Sequence, residues 1–77
     1  MNAVKLGKMA NEIAAFFDAD PDRTAAMDGF VGHLKRFWDP RMRRELVAWI
    51  DGGGGTELIA LVRDAIAQRR EQILPAQ

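Results

Sequence analysis

Met27-Asp28-Gly29-Phe30-Val31-Gly32-His33-Leu34-Lys35-Arg36-Phe37-Trp38-Asp39-Pro40-Arg41-Met42-Arg43-Arg44-Glu45-Leu46 is the stretch on which the fold turns. Met27, Phe30, Val31, Leu34, Phe37 and Trp38 recur at the three- and four-residue spacing of one helical face. The pair Asp39-Pro40 then stops that helix and starts another. Proline disfavours the α region for its predecessor, yet fits the first helical position, where no N–H is needed. Lys35 and Arg36 close the first helix at its negative end, where cations belong. Arg41, Arg43 and Arg44 stand at the opposite, positive end of the next helix, where acidic side chains are the stabilising choice. A local rule broken three times within four residues marks this junction as a place to look for a partner.

Working outward, Leu6, Met9, Ala10, Ile13, Phe16 and Phe17 predict a helix over about 3–17. Asp18-Ala19-Asp20-Pro21-Asp22 ends it and starts the second helix, about 21–37, with Asp20 as N-cap and Pro21 at the first position. The third helix, about 40–50, presents Met42, Leu46, Trp49 and Ile50 on one side. Gly52 to Gly55 read as a flexible linker, since glycine terminates helices and forms them poorly. Thr56 can cap a fourth helix, about 57–72, with Leu58, Leu61, Val62, Ala65 and Ile66 as its buried stripe, followed by a loose tail at 73–77. The expectation is an all-α protein, a small bundle of about four short helices in one domain spanning 1–77.

Composition agrees. Seventy-seven residues, 48% hydrophobic and 29% charged, suit one small globular domain. With no cysteine and a single histidine, neither a disulfide nor a zinc centre can staple it, so the helices must pack tightly or dock onto something larger. The lack of cysteine fits a cytoplasmic, reducing setting, and neither a secretory signal nor a run of about 20 apolar residues is present. Eleven cations balance eleven anions, which speaks against a protein built to grip nucleic acid. The balance is uneven along the chain: residues 35–51 carry five cations and three anions, whereas residues 1–34 carry three and five.

Catalytic inventories are almost empty. There is no serine, cysteine or tyrosine, and one imidazole, so no hydrolytic triad or thiol nucleophile can be assembled. Asp18, Asp20 and Asp22 lack the glycine and downstream glutamate of a calcium loop, and Gly-Gly-Gly-Gly-Thr lacks the Lys-Ser/Thr of a phosphate loop. His33 reads either as a half-buried imidazole bordering the core or as a contact to a partner, and of Phe37 and Trp38 one ring belongs to the core while the other can serve as an aromatic anchor. The cations read either as a solvated face or as guanidinium groups aimed at an anionic surface.

Lys8-Met9-Ala10-Asn11-Glu12-Ile13-Ala14-Ala15-Phe16-Phe17 followed by His33-Leu34-Lys35-Arg36-Phe37-Trp38-Asp39-Pro40-Arg41-Met42-Arg43 resembles the delta subunit of the soluble, molybdenum-containing NAD-dependent formate dehydrogenases. The similarity runs from about Lys8 to Ala65, with Leu58 to Ala65 matching only in apolar pattern, while the glycine run and the tail after Ala67 depart from the family. The resemblance implies a non-catalytic accessory subunit, or an assembly or stabilising factor, that holds no cofactor itself. Its implied partners are the larger subunits of a cytoplasmic complex, above all the molybdenum-containing catalytic subunit, which hold molybdenum pterin dinucleotide, iron–sulfur clusters and FMN. From composition and spacing, His33, Arg36, Trp38, Arg41 and Arg43 are expected to dock, with Phe37, Asp39, Pro40 and Met42 shaping the junction. Two competing readings are a helix-turn-helix nucleic-acid binder, with the arginines near the start of a recognition helix, and a self-associating helical bundle.

Overall fold

Three helix starts are made by side chains beside them in sequence. In the computed structural model, which describes residues 2–74, Asn2 accepts the N–H of Lys5 (2.9 Å), Asp22 that of Ala25 (3.2 Å) and Asp39 that of Met42 (3.0 Å). Each satisfies a backbone donor that the first turn leaves without an intrahelical acceptor. The helices so begun are α1 (Ala3–Phe17), α2 (Arg23–Phe37) and α3 (Pro40–Asp51), followed by α4 (Ala60–Gln68) and a single turn, α5 (Arg70–Ile73). No strand occurs among the described residues, so the chain is an all-α bundle.

The second helix starts two residues later than the Asp20-Pro21 reading expects. Asp22 is the cap, and Asp20 instead accepts the N–H of Asp22 (2.9 Å), tightening the turn before the helix.

A larger difference lies at α4. Thr56 does not cap it; the helix begins at Ala60, and its N-cap residue, Ile59, has no polar side chain. The missing acceptor comes from α1, where Asn11 Oδ1 accepts the N–H of Ile59 (2.9 Å) and Asn11 Nδ2 donates to the carbonyl of Glu57 (3.2 Å). One amide thereby clamps both sides of the helix entry. Replacing Asn11 by leucine is expected to cost about 1–2 kcal/mol, the range of a lost cap, and to lower the urea midpoint without changing the slope of the unfolding transition.

Residues 52–55 form a fitted corner between α3 and α4. The N–H of Gly54 bonds to the carbonyl of Trp49 (2.9 Å) and that of Gly53 to Ile50 (3.0 Å), the paired bonds of a Schellman terminator. Gly53, at the position that needs a left-handed backbone, has φ +99°. The corner also accommodates an indole. A Cβ on Gly54 would come within 2.3 Å of Trp49 Nε1, and one on Gly7 of α1 within 2.7 Å of Trp49 Cζ3. The ring is held between two glycines.

Nor does the helical run end in a loose tail from residue 73. Arg69 leaves helical geometry (φ −119°, ψ 29°), α5 turns to pack on both α2 and α4, and Ile73 is fully buried. Pro75 and the rest of that expected tail lie outside the described residues. Two exposed ion pairs tether this turn, Arg69 to Asp28 (3.1 Å) and Arg70 to Asp51. The hydrogen bond to Asp51, and then the attraction of its carboxylate, raise the Arg70 guanidinium above its ordinary pKa.

Helices α1 and α2 form the centre: α1 packs on α2, α3 and α4, and α2 on α1, α4 and α5. Among the described residues, Phe30, Leu6, Leu34, Leu46, Leu61 and Ile73 are the largest side chains fully withdrawn from solvent, and no polar or charged residue is buried with them. Burial of such side chains, at roughly 1.5–3 kcal/mol each, is the main favourable term in a domain this small. Polar side chains are left at the surface or, as with Asn11 and Arg43, half-buried at the edge of the core.

Candidate functional site

The junction of α2 and α3 divides into residues that build the fold and residues that are free. Leu34 is the last side chain of α2 itself to enter the core. Phe37, one turn of chain later, is 67% exposed. Trp38 follows as the C-cap, with an extended backbone (φ −98°, ψ 131°) that returns its indole to the core, where it is 4% exposed. Trp38 is therefore the core ring of the pair and Phe37 the exposed one.

Asp39 caps α3 and Pro40 occupies its first turn, while Met42 packs half-buried against the core. Arg43 is also structural. It is half-buried, its Nη1 donates to the carbonyl of Ile73 (3.0 Å), and its buried Nε has no partner. The guanidinium thus closes the C-terminal end of α5, giving one of the three misplaced arginines an occupation inside the fold. Arg41 and Arg44 keep the anomaly. Both are exposed at the positive end of α3, and neither lies within 4.0 Å of a carboxylate among the described residues. Lys35 and Arg36 on the α2 side are likewise exposed and without an ion-pair partner.

His33 is half-buried and stands between two phenyl rings, 6.2 Å from Phe17 and 4.7 Å from Phe37 between ring centroids. Phe17 in turn meets Phe16 edge to face at 5.1 Å. The guanidinium carbon of Arg36 lies 5.9 Å from the Phe37 centroid, within cation–π range. Of the nine residues expected to dock or to shape the junction, Arg36 and Phe37 are exposed beside the half-buried His33, Arg41 is exposed at the start of α3, and Trp38, Asp39, Pro40, Met42 and Arg43 build the corner itself.

Phe16 and Arg44 are the functional candidates missing from that expectation. Phe16 was grouped with the core face of α1, yet it is 76% exposed. A signal was available: at about 100° per residue, Phe16 stands roughly 80° away from Leu6 around the helix, whereas Phe17 returns to within about 20°.

A cleft of about 480 Å³ between α1 and the glycine corner has Lys8 and Glu57 as its titratable side chains, and its Asn11 is occupied at the start of α4. No group of three or more histidine, aspartate or glutamate side chains among the described residues is placed to hold a metal ion.

The family model described as "NADH-dependant formate dehydrogenase delta subunit FdsD" matches residues 5–66. No curated protein and no solved structure matches the chain.

Proposed function

Because this chain belongs to the delta-subunit family of NADH-dependent formate dehydrogenases, we propose that it is a non-catalytic accessory subunit that docks onto the larger subunits through the exposed basic and aromatic edge of the α2–α3 corner. The observation that carries this reading is a contrast among the cations. Arg23, Arg69 and Arg70 are each paired with an aspartate of this chain. Lys35, Arg36, Arg41 and Arg44 have no such partner among the described residues and gather on the two sides of Asp39-Pro40, whereas three other cations without an ion pair, Lys5, Lys8 and Arg63, lie on α1 and α4. Guanidinium groups at the positive end of a helix are held there at a small cost unless an anion answers them, and a carboxylate-lined protein surface is a suitable answer.

The cofactors of formate oxidation, molybdenum pterin dinucleotide, iron–sulfur clusters and FMN, reside in the partner subunits in this reading. Its site of action is the cytoplasm, and no helix among the described residues is long and apolar enough to cross a membrane. The molybdenum-containing catalytic subunit is the partner we favour. The helix-turn-helix alternative is poorly supported by packing, since α2 and α3 pack far more on other helices than on each other.

Reversing two charges tests the reading. The variant Arg41→Glu with Arg44→Glu is expected to keep its helical circular dichroism, because acids suit that end of a helix. It should associate with the formate dehydrogenase complex at least about tenfold more weakly, a change of ~1.4 kcal/mol. Undiminished association, measured by titration with the complex purified without this subunit, would rule out the basic edge as the docking element.

A further inference from the structure

A row of aromatic rings runs away from the basic corner onto a different helix, and nothing in the fold requires its two ends. Phe16, Phe17, His33 and Phe37 follow one another at centroid steps of 5.1, 6.2 and 4.7 Å. The middle of the row is anchored. Phe17 lies over Gly29 of α2, where a Cβ would stand 2.5 Å from its ring, and His33 is half-buried beside it. The ends are free, with Phe16 and Phe37 exposed by 76% and 67%. Besides these two, Val4 is the large hydrophobic side chain standing out from the described surface.

We propose that this ridge inserts into an apolar groove rimmed by carboxylates on a larger formate dehydrogenase subunit, as the aromatic half of the contact whose basic half is the α2–α3 corner. The inference rests on the accessory-subunit reading and adds the shape and chemistry of the surface that receives it. Three observations support the occupant. Phe16 and Phe37 leave two large apolar rings open to solvent, the kind of surface that an apolar groove covers. Rings already fixed by their neighbours lose little freedom on binding, which is the property of an interface anchor.

Charge complementarity supplies the third. At the Phe37 end stand Lys35 and Arg36, which lack anionic partners. The carboxylates that follow Phe16 are engaged within their own turn: Asp18 pairs with Arg23, Asp20 receives the N–H of Asp22, and Asp22 caps α2. Glu12, one helical turn before Phe16, is exposed and has no ion pair among the described residues, so a second copy of this chain would set one free carboxylate against the two free cations Lys35 and Arg36. A surface of different composition, apolar with an acidic rim, complements the ridge.

The test uses the full chain and the formate dehydrogenase complex purified without it. Phe16→Gln with Phe37→Gln is expected to leave the melting temperature within a few degrees, because both rings are exposed, and to weaken association at least 100-fold. Val4→Gln, at the other end of α1, should change it less than twofold. Raising salt from about 0.1 to 1 M, which shortens the Debye length from about 10 to 3 Å, should weaken association of the unmutated chain several-fold.

If the phenylalanine variant binds as well as the unmutated chain while Arg41→Glu with Arg44→Glu does not, the ridge is not a docking element and the basic corner stands alone. If the unmutated chain does not associate at all, the accessory-subunit reading and the ridge fall together. A salt-insensitive association would remove the acidic rim. If sedimentation instead shows the isolated chain to be a dimer that the phenylalanine variant dissociates, the ridge is a self-association surface and the hetero-partner is overturned.

Discussion

Gly54→Ala is expected to destabilise the domain by about 2–3 kcal/mol, within the usual range for overpacking. One added methyl group would stand 2.3 Å from Trp49 Nε1 and 2.5 and 2.6 Å from two further ring atoms. A flexible side chain could swing away, but the indole is rigid and its opposite edge is lodged against Gly7, where a Cβ would stand 2.7 Å away. Movement of the ring away from residue 54 pushes it towards α1. For a chain of 77 residues, whose whole stability is roughly 4–12 kcal/mol, this is a large fraction.

The expected reading in thermal unfolding is a fall of roughly 8–20 °C. Gly32→Ala is the control. In the interior of α2 its added Cβ meets nothing within 4 Å, so the same chemical change should stabilise by about 0.5–1 kcal/mol through helix propensity. Equal effects at the two positions would show that the indole slot is not tight. A smaller ring should relieve the clash, and Trp49→Leu combined with Gly54→Ala is expected to show a coupling of about 1–2 kcal/mol in a double-mutant cycle.

Ile73→Ala should cost about 2–4 kcal/mol, the loss expected for a large aliphatic side chain removed from a packed interior. The whole of Ile73 is withdrawn from solvent, and its helical turn packs on both α2 and α4. Its carbonyl also receives the Arg43 guanidinium, so the same residue closes the core with its side chain and anchors a cation with its backbone. Truncation at Arg69 is expected to be more damaging than the point change, because it additionally leaves a half-buried guanidinium without an acceptor. Chemical denaturation followed by circular dichroism checks both. An Ile73→Ala loss below about 0.5 kcal/mol, the scale of an ordinary surface change, would mean that the turn does not seal the core.

How much of this was legible depended on whether the decisive interactions were local. The limits of α1 were readable from its apolar period, and the start of α3 from Asp39-Pro40, because a proline and a capping carboxylate act on the residues beside them. The beginning of α2 was displaced because two aspartates were both eligible as caps and only the turn geometry chooses Asp22. At α4 local reading failed altogether. Thr56 was a fair local candidate, but the amide that acts is Asn11, 48 residues from the N–H it accepts.

The candidate surface shows the same division. His33, Arg36, Phe37 and Arg41 are proposed for docking on composition, because clustered cations and aromatics at a helix junction are visible in one dimension. Trp38 and Arg43 were misassigned because their roles come from a change of backbone direction at residue 38 and from a carbonyl 30 residues away. Phe16 was hidden by treating eleven residues of helix as a single face, although the angular drift of the helix separates it from Phe17.

The clamp that Asn11 places on α4 has a kinetic meaning. A helix of nine residues is too short to persist by itself in water, and this one also lacks an acceptor of its own at its first turn. Its formation therefore waits for α1 to arrive from the far side of the sequence, and its opening releases α1 in turn. Amide exchange in α4 should accordingly proceed by global unfolding rather than by local fraying, so that its slowest amides report the stability of the entire domain.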